Sequence, residues 1–240
     1  MKKELLLMGM IGVLATSTAM AAPVTDFNNG TKSVEVNYHL NNDYDNSYGC
    51  NGDVKNAIND FGITYGLSDK IALQYNYYAP KTKVYKSTGG AFSIDEMKQQ
   101  EFNILYKMNK DVNFFVGLNS YKVNSSGSDS DTSYYFYDNL IGKRENKLQV
   151  GVIGKKEFDK KTAVYGIIGL SSDYSKFKVG LSREVAPNIS LDINYQQVKY
   201  NNLTDSSYYQ NDTGSITTAS NEAIGDVKVK GLGVGLTYNF

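Results

Sequence analysis

From about residue 32 onward the chain alternates apolar and polar positions with a period of two. That spacing turns one face of a strand to an apolar medium and the other to a polar one. The pattern is clearest in the last fourteen residues, 227–240. Leu232, Val234, Leu236, Tyr238 and Phe240 share one face; Gly231, Gly233, Gly235, Thr237 and Asn239 share the other. Nine earlier segments repeat the alternation, at about 32–40, 55–65, 70–78, 99–107, 112–123, 147–154, 162–170, 174–182 and 189–196. In the third, Ile71, Leu73, Tyr75 and Tyr77 alternate with Ala72, Gln74, Asn76 and Tyr78. In the ninth, Ile189, Leu191, Ile193 and Tyr195 alternate with Ser190, Asp192, Asn194 and Gln196. The seventh is ambiguous because both of its faces are apolar. Ser93-x-x-Glu96 reads as a helix capping box, so a helical turn at the start of the fourth strand is a further expectation.

Connection lengths sort into two classes. Those at 66–69, 108–111, 155–161 and 183–188 are short, whereas 41–53, 79–98, 124–146 and 197–226 are long. Only the short 171–173 breaks the alternation. An even-stranded antiparallel barrel with both termini at one end produces this sorting, because its hairpins close tightly on one side of a membrane and extend on the other. The expected fold is all-β: a closed up-and-down transmembrane β-barrel of ten strands, with eight the alternative count. A soluble all-β protein is the fold-level alternative.

The N-terminus supports export. Met1-Lys2-Lys3 is a short basic region, residues 5–14 an apolar core, and Ala19-Met20-Ala21 a small-x-small cleavage site. The expected organisation is a signal peptide at 1–22, a short periplasmic segment at 23–30 and a barrel at 31–240. Beyond Ala22 no apolar run is long enough for a spanning helix, which needs ~20 residues. Removing Lys2, Lys3 and Glu4 leaves 23 basic against 24 acidic residues, so no basic field for nucleic acid is expected. Twenty Tyr and no Trp assign the interfacial belts to Tyr and Phe: Tyr38, Tyr65, Tyr77, Tyr106, Tyr195, Tyr238 and Phe240.

The terminal Tyr238-x-Phe240 and the Gly66-Leu67-Ser68-Asp69-Lys70 turn resemble those of small bacterial outer-membrane barrels of porin-like or opacity-protein-like type. The resemblance covers nearly all of the mature chain. It implies an outer-membrane location and recognition of the C-terminal strand by the barrel assembly machinery. It also implies contact with outer-membrane lipid and lipopolysaccharide, and either limited solute passage or a surface role such as adhesion.

The period-two reading turns Glu35, His39, Asp60, Glu101, Lys107, Lys176, Lys178 and Asp192 toward the lumen. Their mixed signs suit ion pairs that fill the interior, or the walls of a narrow aqueous path. A passive channel or envelope structural protein is the first functional expectation. A binding barrel using 124–146 and 201–226 is the alternative, with Tyr134, Tyr135, Phe136 and Tyr137 either contacting a ligand or extending the barrel as strand ends. A third reading makes His39 a rim catalyst beside Asp43 or Asp45; against it stands a His bonded to a polar neighbour. The expectation is no enzyme, no cofactor and no metal. Asp43-x-Asp45-x-Ser47-x-Gly49 misplaces its Gly for a calcium loop and lacks the closing acid, and Asp129-x-Asp131 is weaker still. Cys50 has no internal partner for a disulfide. Lys155–Lys161 would lie in a periplasmic turn, solvated by default and within reach of headgroups, and Lys143 and Arg144 would fall on the extracellular side, where lipopolysaccharide phosphates could bind them.

Overall fold

A computed structural model of the protein describes residues 23–46, 51–83, 85–86, 92–129, 136–210 and 216–240. The described residues contain no helix. They form β1 (Lys32–Asn46), β2 (Asn51–Asp53), β3 (Ala57–Gly66), β4 (Ile71–Tyr78), β5 (Tyr85–Lys86), β6 (Phe92–Lys107) and β7 (Val112–Asp129). Next come β8 (Phe136–Gly142), β9 (Glu145–Glu157), β10 (Thr162–Leu170), β11 (Tyr174–Ala186), β12 (Ile189–Gln210) and β13 (Ile216–Asn239).

Ten strands close a ring in the order β1–β3–β4–β6–β7–β9–β10–β11–β12–β13, every neighbour antiparallel, and β1 seals it against β13. Closure satisfies the backbone of every strand on both sides. An open sheet edge in hydrocarbon would leave groups unpaired at several kcal/mol each. The outward residues are those the alternation assigns: Ile63, Leu73, Phe102, Ile104, Val116, Leu118, Leu148, Ile193 and Leu232 are all exposed. The short turns at 67–70, 108–111, 158–161 and 187–188 lie at the end that carries the C-terminus, the periplasmic end by the usual barrel rule. Asp159 shows how they close: one carboxylate oxygen accepts the backbone N–H of both Lys161 and Thr162 at 2.7 Å.

All four long connections differ from the expectation, because much of each is strand: the 41–53 segment holds the end of β1 and all of β2. The 79–98 segment holds β5 and the upper part of β6, 124–146 holds the top of β7 and all of β8, and 197–226 holds the upper halves of β12 and β13. The capping box at Ser93 and Glu96 makes no helical turn. Residues 92–107 are one strand paired with β7 from Phe92↔Ser128 to Lys107↔Asn113, and those ladder bonds outcompete a local helix. Above the membrane band β8 pairs with β7 on one side and β12 on the other. It bridges there the gap that β9, β10 and β11 fill lower down.

Both ends of the barrel hold an apolar layer. At the periplasmic end residues 23–31 enter the mouth. Val24 and Phe27 are buried against Ala72, Leu105, Phe115 and Ile153. Asn113 Nδ2 donates to the Val24 carbonyl at 3.3 Å, and Thr25 Oγ1 donates to that of Lys110 at 2.9 Å. Toward the extracellular end, Tyr44, Tyr78, Met97, Tyr121, Tyr174 and Tyr200 pack with Val198, Leu203 and Val229.

Candidate functional site

Between these layers the lumen is a polar network assembled by strand register. Inward positions on β6, β11 and β12 meet across the barrel, so residues far apart in sequence become partners. Glu101 is its centre. Gln99 Nε2 and Tyr174 OH donate to Glu101 Oε1 at 2.6 and 2.8 Å, Asn76 Nδ2 donates to Oε2 at 2.9 Å, and Lys176 Nζ lies 3.4 Å from both oxygens. The Tyr200 hydroxyl donates to Gln99 Oε1, which ties β12 to β6. A buried carboxylate is tolerable only when its lone pairs are filled in this way.

A second centre lies on β1 and β11. Lys178 Nζ donates to Glu35 Oε1 at 2.8 Å, and Asn37 Nδ2 donates to the same oxygen at 2.8 Å. Asp192 accepts from Tyr165 OH at 2.6 Å and from Asn194 Nδ2 at 2.7 Å. Amide side chains continue the network: Gln149 donates to Asn103 and Asn103 to Gln74, at 2.7 and 3.2 Å. The cavity left among these groups is about 30 Å³, room for a water molecule or two.

His39 is 1 % exposed. Its Nε2 lies 3.3 Å from Asp60 Oδ2, and Asn42 Nδ2 donates to Nδ1 at 3.0 Å. A neutral ring protonated on Nε2 satisfies both bonds. The pairing with Asp43 or Asp45 considered from sequence is corrected. A β-bulge between Leu40 and Asp43, with Asn41 at φ 46°, reverses the face of the strand. Asn42 and Tyr44 turn inward instead, while Asp45 reaches Lys228 at 2.8 Å and Asp43 lies 3.8 Å from Lys230.

Lys107 lies lower than the other lumen candidates. It holds the plug segment, with Nζ 2.9 Å from Asp26 Oδ1 and 2.6 Å from the Phe27 carbonyl oxygen. Sequence reading did not identify Val24 and Phe27 as barrel contacts, since two apolar residues in nine carry no period. Of the belt aromatics, Tyr38, Tyr65 and Tyr106 are exposed, and Tyr77, Tyr195, Tyr238 and Phe240 are half-buried. Tyr238 meets Phe240 edge-on, with ring centroids 4.6 Å apart. Tyr134, Tyr135, Ser47, Cys50 and Asp131 lie outside the described residues. Phe136 and Tyr137 belong to β8. Among the described residues no His/Cys/Asp/Glu group could hold a metal.

One latch stands at the extracellular turn between β10 and β11. Asp173 accepts from Asn202 Nδ2 at 2.9 Å and Ser172 Oγ at 3.0 Å, and pairs with Lys147 Nζ at 2.8 Å. These bonds, that from Lys147 foremost, hold its carboxyl at about 2, below the ordinary carboxylate range.

An outward apolar band, a polar interior and a ring without edges define a closed ten-stranded membrane β-barrel of the bacterial outer-membrane type. No family model and no curated protein matches the sequence. Solved structures of outer-membrane proteins are similar to it at low identity. The translocator domain of the autotransporter NalP from Neisseria meningitidis is 10 % identical, with 90 % of this chain and 91 % of that one covered and a TM-score of 0.49. A major outer membrane protein from Thermus thermophilus is 12 % identical, covering 88 % and 99 %, at 0.48. Ail, the attachment invasion locus protein of Yersinia pestis, is 11 % identical, covering 88 % and 99 %, at 0.41.

Proposed function

We propose that the protein is a surface-interaction barrel of the outer membrane, closed to solute flow, whose extracellular sheet carries the binding. The observation behind this reading is the length of its strands. A tilted strand spans a bilayer with ~9–11 residues, whereas β12 has 22 and β13 has 24. The surplus is spent above the band on a sheet of β6, β7, β8, β12 and β13, with β8 inserted where it has no spanning role. That sheet lies beyond the length that crossing the bilayer requires.

The filled lumen supports the same reading. Gln99, Glu101, Tyr174 and Tyr200 bond to one another across the interior, and the apolar layers stop both ends. The proposal gives His39 no catalytic part, because its ring is buried and both nitrogens are engaged. Location in the outer membrane and a mature chain beginning near residue 22 belong to the same proposal.

The test is paired. In planar bilayers the refolded protein is expected to be silent, while a variant with 205–224 replaced by a tight turn keeps its heat-dependent gel mobility and loses binding of whole cells to an epithelial or matrix surface. Discrete, reproducible conductance steps from the folded wild type would overturn the closed-lumen reading in favour of a narrow channel. Undiminished cell binding by the shortened variant would remove the extracellular sheet from the function.

A further inference from the structure

The segment that stops the periplasmic mouth runs into the barrel in its N-terminal direction. Asp26 and Phe27 are held by Lys107, the Val24 carbonyl accepts from Asn113, and Pro23 reaches the wall of the central lumen cavity. Pro23, Val24 and Thr25 are all buried. Ahead of Pro23 the cavity is about 30 Å³, room for a water molecule or two but not for a passing chain. The way back is filled as well, by Val24 and Phe27 against Leu105, Phe115 and Ile153. A leader still joined to residue 23 and this position of Pro23 therefore exclude each other.

The cavity wall is short of one positive charge. Among the described residues three carboxylates line it, Glu35, Asp60 and Glu101, against two ammonium groups, Lys176 and Lys178. Lys178 pairs with Glu35 at 2.8 Å, and Lys176 with Glu101 at 3.4 Å. Asp60 has His39 at 3.3 Å, and that ring is neutral when it also accepts from Asn42. Gln149, which lines the same cavity and is 1 % exposed, leaves its buried Oε1 without a hydrogen-bond partner among the described residues. A buried wall with surplus negative charge and an unused acceptor is costly unless a cationic donor enters it.

We propose that this cavity binds the protein's own α-ammonium group, released when the leader is cut after Ala21. The site rests on the processing near residue 22 proposed above. Hydrolysis of the Ala21–Ala22 peptide bond by a leader peptidase gives the water oxygen to the Ala21 carboxylate and leaves a free amine on Ala22. That amine is an ammonium at neutral pH, since an ordinary α-amine titrates near ~8. It belongs to the residue next to Pro23, and consecutive Cα atoms are only ~3.8 Å apart. Three donors then answer the third carboxylate and the vacant amide oxygen. Cutting the leader supplies the charge that the lumen lacks and frees the plug to seat, so export processing and closure of the periplasmic mouth become one event.

The experiment takes the mature protein extracted from bacterial outer membranes and first reads its N-terminal peptide by mass spectrometry. A chain beginning at Met1 would sink the processing reading and the site together. A start at Ala22 is expected, and the amine is then probed with a small water-soluble acylating ester in detergent. Lys156, whose side chain is 71 % exposed, serves as the internal reference. Relative to Lys156, the Ala22 amine of the folded barrel should label at least about ten-fold more slowly than in the urea-unfolded chain. Phe27→Ala, which loosens the plug, should raise the folded rate several-fold. Glu35→Gln leaves two acids facing two lysines without altering the plug, and should raise it as well. Heat-dependent gel mobility verifies that each variant is folded. Equal labelling of folded and unfolded wild type would overturn the site while leaving the processing intact. A rate that responds to Phe27→Ala but not to Glu35→Gln would mean a terminus that is buried without serving as counter-ion, and would overturn the proposal too.

Discussion

Lys107 Nζ lies 2.9 Å from Asp26 Oδ1 and 2.6 Å from the Phe27 carbonyl oxygen, so one cation near the end of β6 fixes the segment that stops the periplasmic mouth. The same ammonium stands 5.3 Å from the centroid of the Phe27 ring. The polar clamp sets position, and the buried ring supplies most of the energy.

Phe27→Ala therefore should cost far more than Asp26→Asn. Phe27 is 1 % exposed, and emptying a buried aromatic site costs ~3–5 kcal/mol. The Asp26 carboxylate is partly exposed, where an ion pair contributes ~0–1 kcal/mol. Urea unfolding followed by the gel-mobility shift checks the order. Equal midpoints for Phe27→Ala and wild type would show that the plug adds nothing to stability.

Lys178→Met should destabilise the barrel by about 3–5 kcal/mol, the usual result of stripping one partner from a buried pair. Glu35→Gln should cost less. The reason is asymmetry of supply: Lys178 also lies in electrostatic reach of Asp60 and Asp192, so it keeps counter-charges when Glu35 is neutral. Glu35, by contrast, relies on Lys178 as its ion-pair partner. The double variant Glu35→Gln/Lys178→Met should recover part of the loss, and non-additivity in a double-mutant cycle measures the coupling.

The band and its facing residues were legible in sequence because lipid enforces strict alternation. On β4, and on β12 as far as Tyr195, every outward position is apolar, and the register follows the pattern residue by residue. Above the band that pressure ends. The 201–226 stretch is rich in Ser, Asn, Asp and Thr, which resembles loop composition, yet its described residues 201–210 and 216–226 are kept extended by the pairing of β12 with β13 and β8. His39 faces the lumen as the alternation assigns it, but its neighbours were not legible for a local reason. The sequence pattern ends the strand at Leu40, with Asp43 and Asp45 in the following connection, whereas β1 runs on to Asn46 and a bulge at Asn41 shifts its phase by one.

The Asp173 latch gives a pH dependence whose sign follows from its depressed pKa. With the carboxyl at about 2 when folded and near ~3.9 when unfolded, its stabilisation is complete above pH ~4. It is lost as pH falls through about 2. Acidification from neutral to about pH 4 should leave the β10–β11 turn in place, and further acidification should release Asn202. Lys147→Met removes the largest contributor and should raise the Asp173 pKa toward the ordinary value. Carbon-detected NMR titration of the carboxyl reads both. An unshifted pKa in the variant would mean that Lys147 does not hold the latch.

Gly151 and Gly154 lie three residues apart on β9 and should respond oppositely to alanine. A Cβ on Gly151 would overlap the Ile168 carbonyl oxygen and the Phe115 ring. The first is backbone in the neighbouring strand and cannot swing aside, so the ladder itself must shift. Gly154 has nothing within 4 Å of an added Cβ. Gly154→Ala should then be neutral or stabilise by ~0.4–1 kcal/mol, because alanine reduces the freedom of the unfolded chain. Gly151→Ala should cost ~1–3 kcal/mol or more, as overpacking does. Parallel urea titrations decide it. Equal midpoints for the two variants would mean that β9 and β10 do not approach as closely at Gly151 as their register requires.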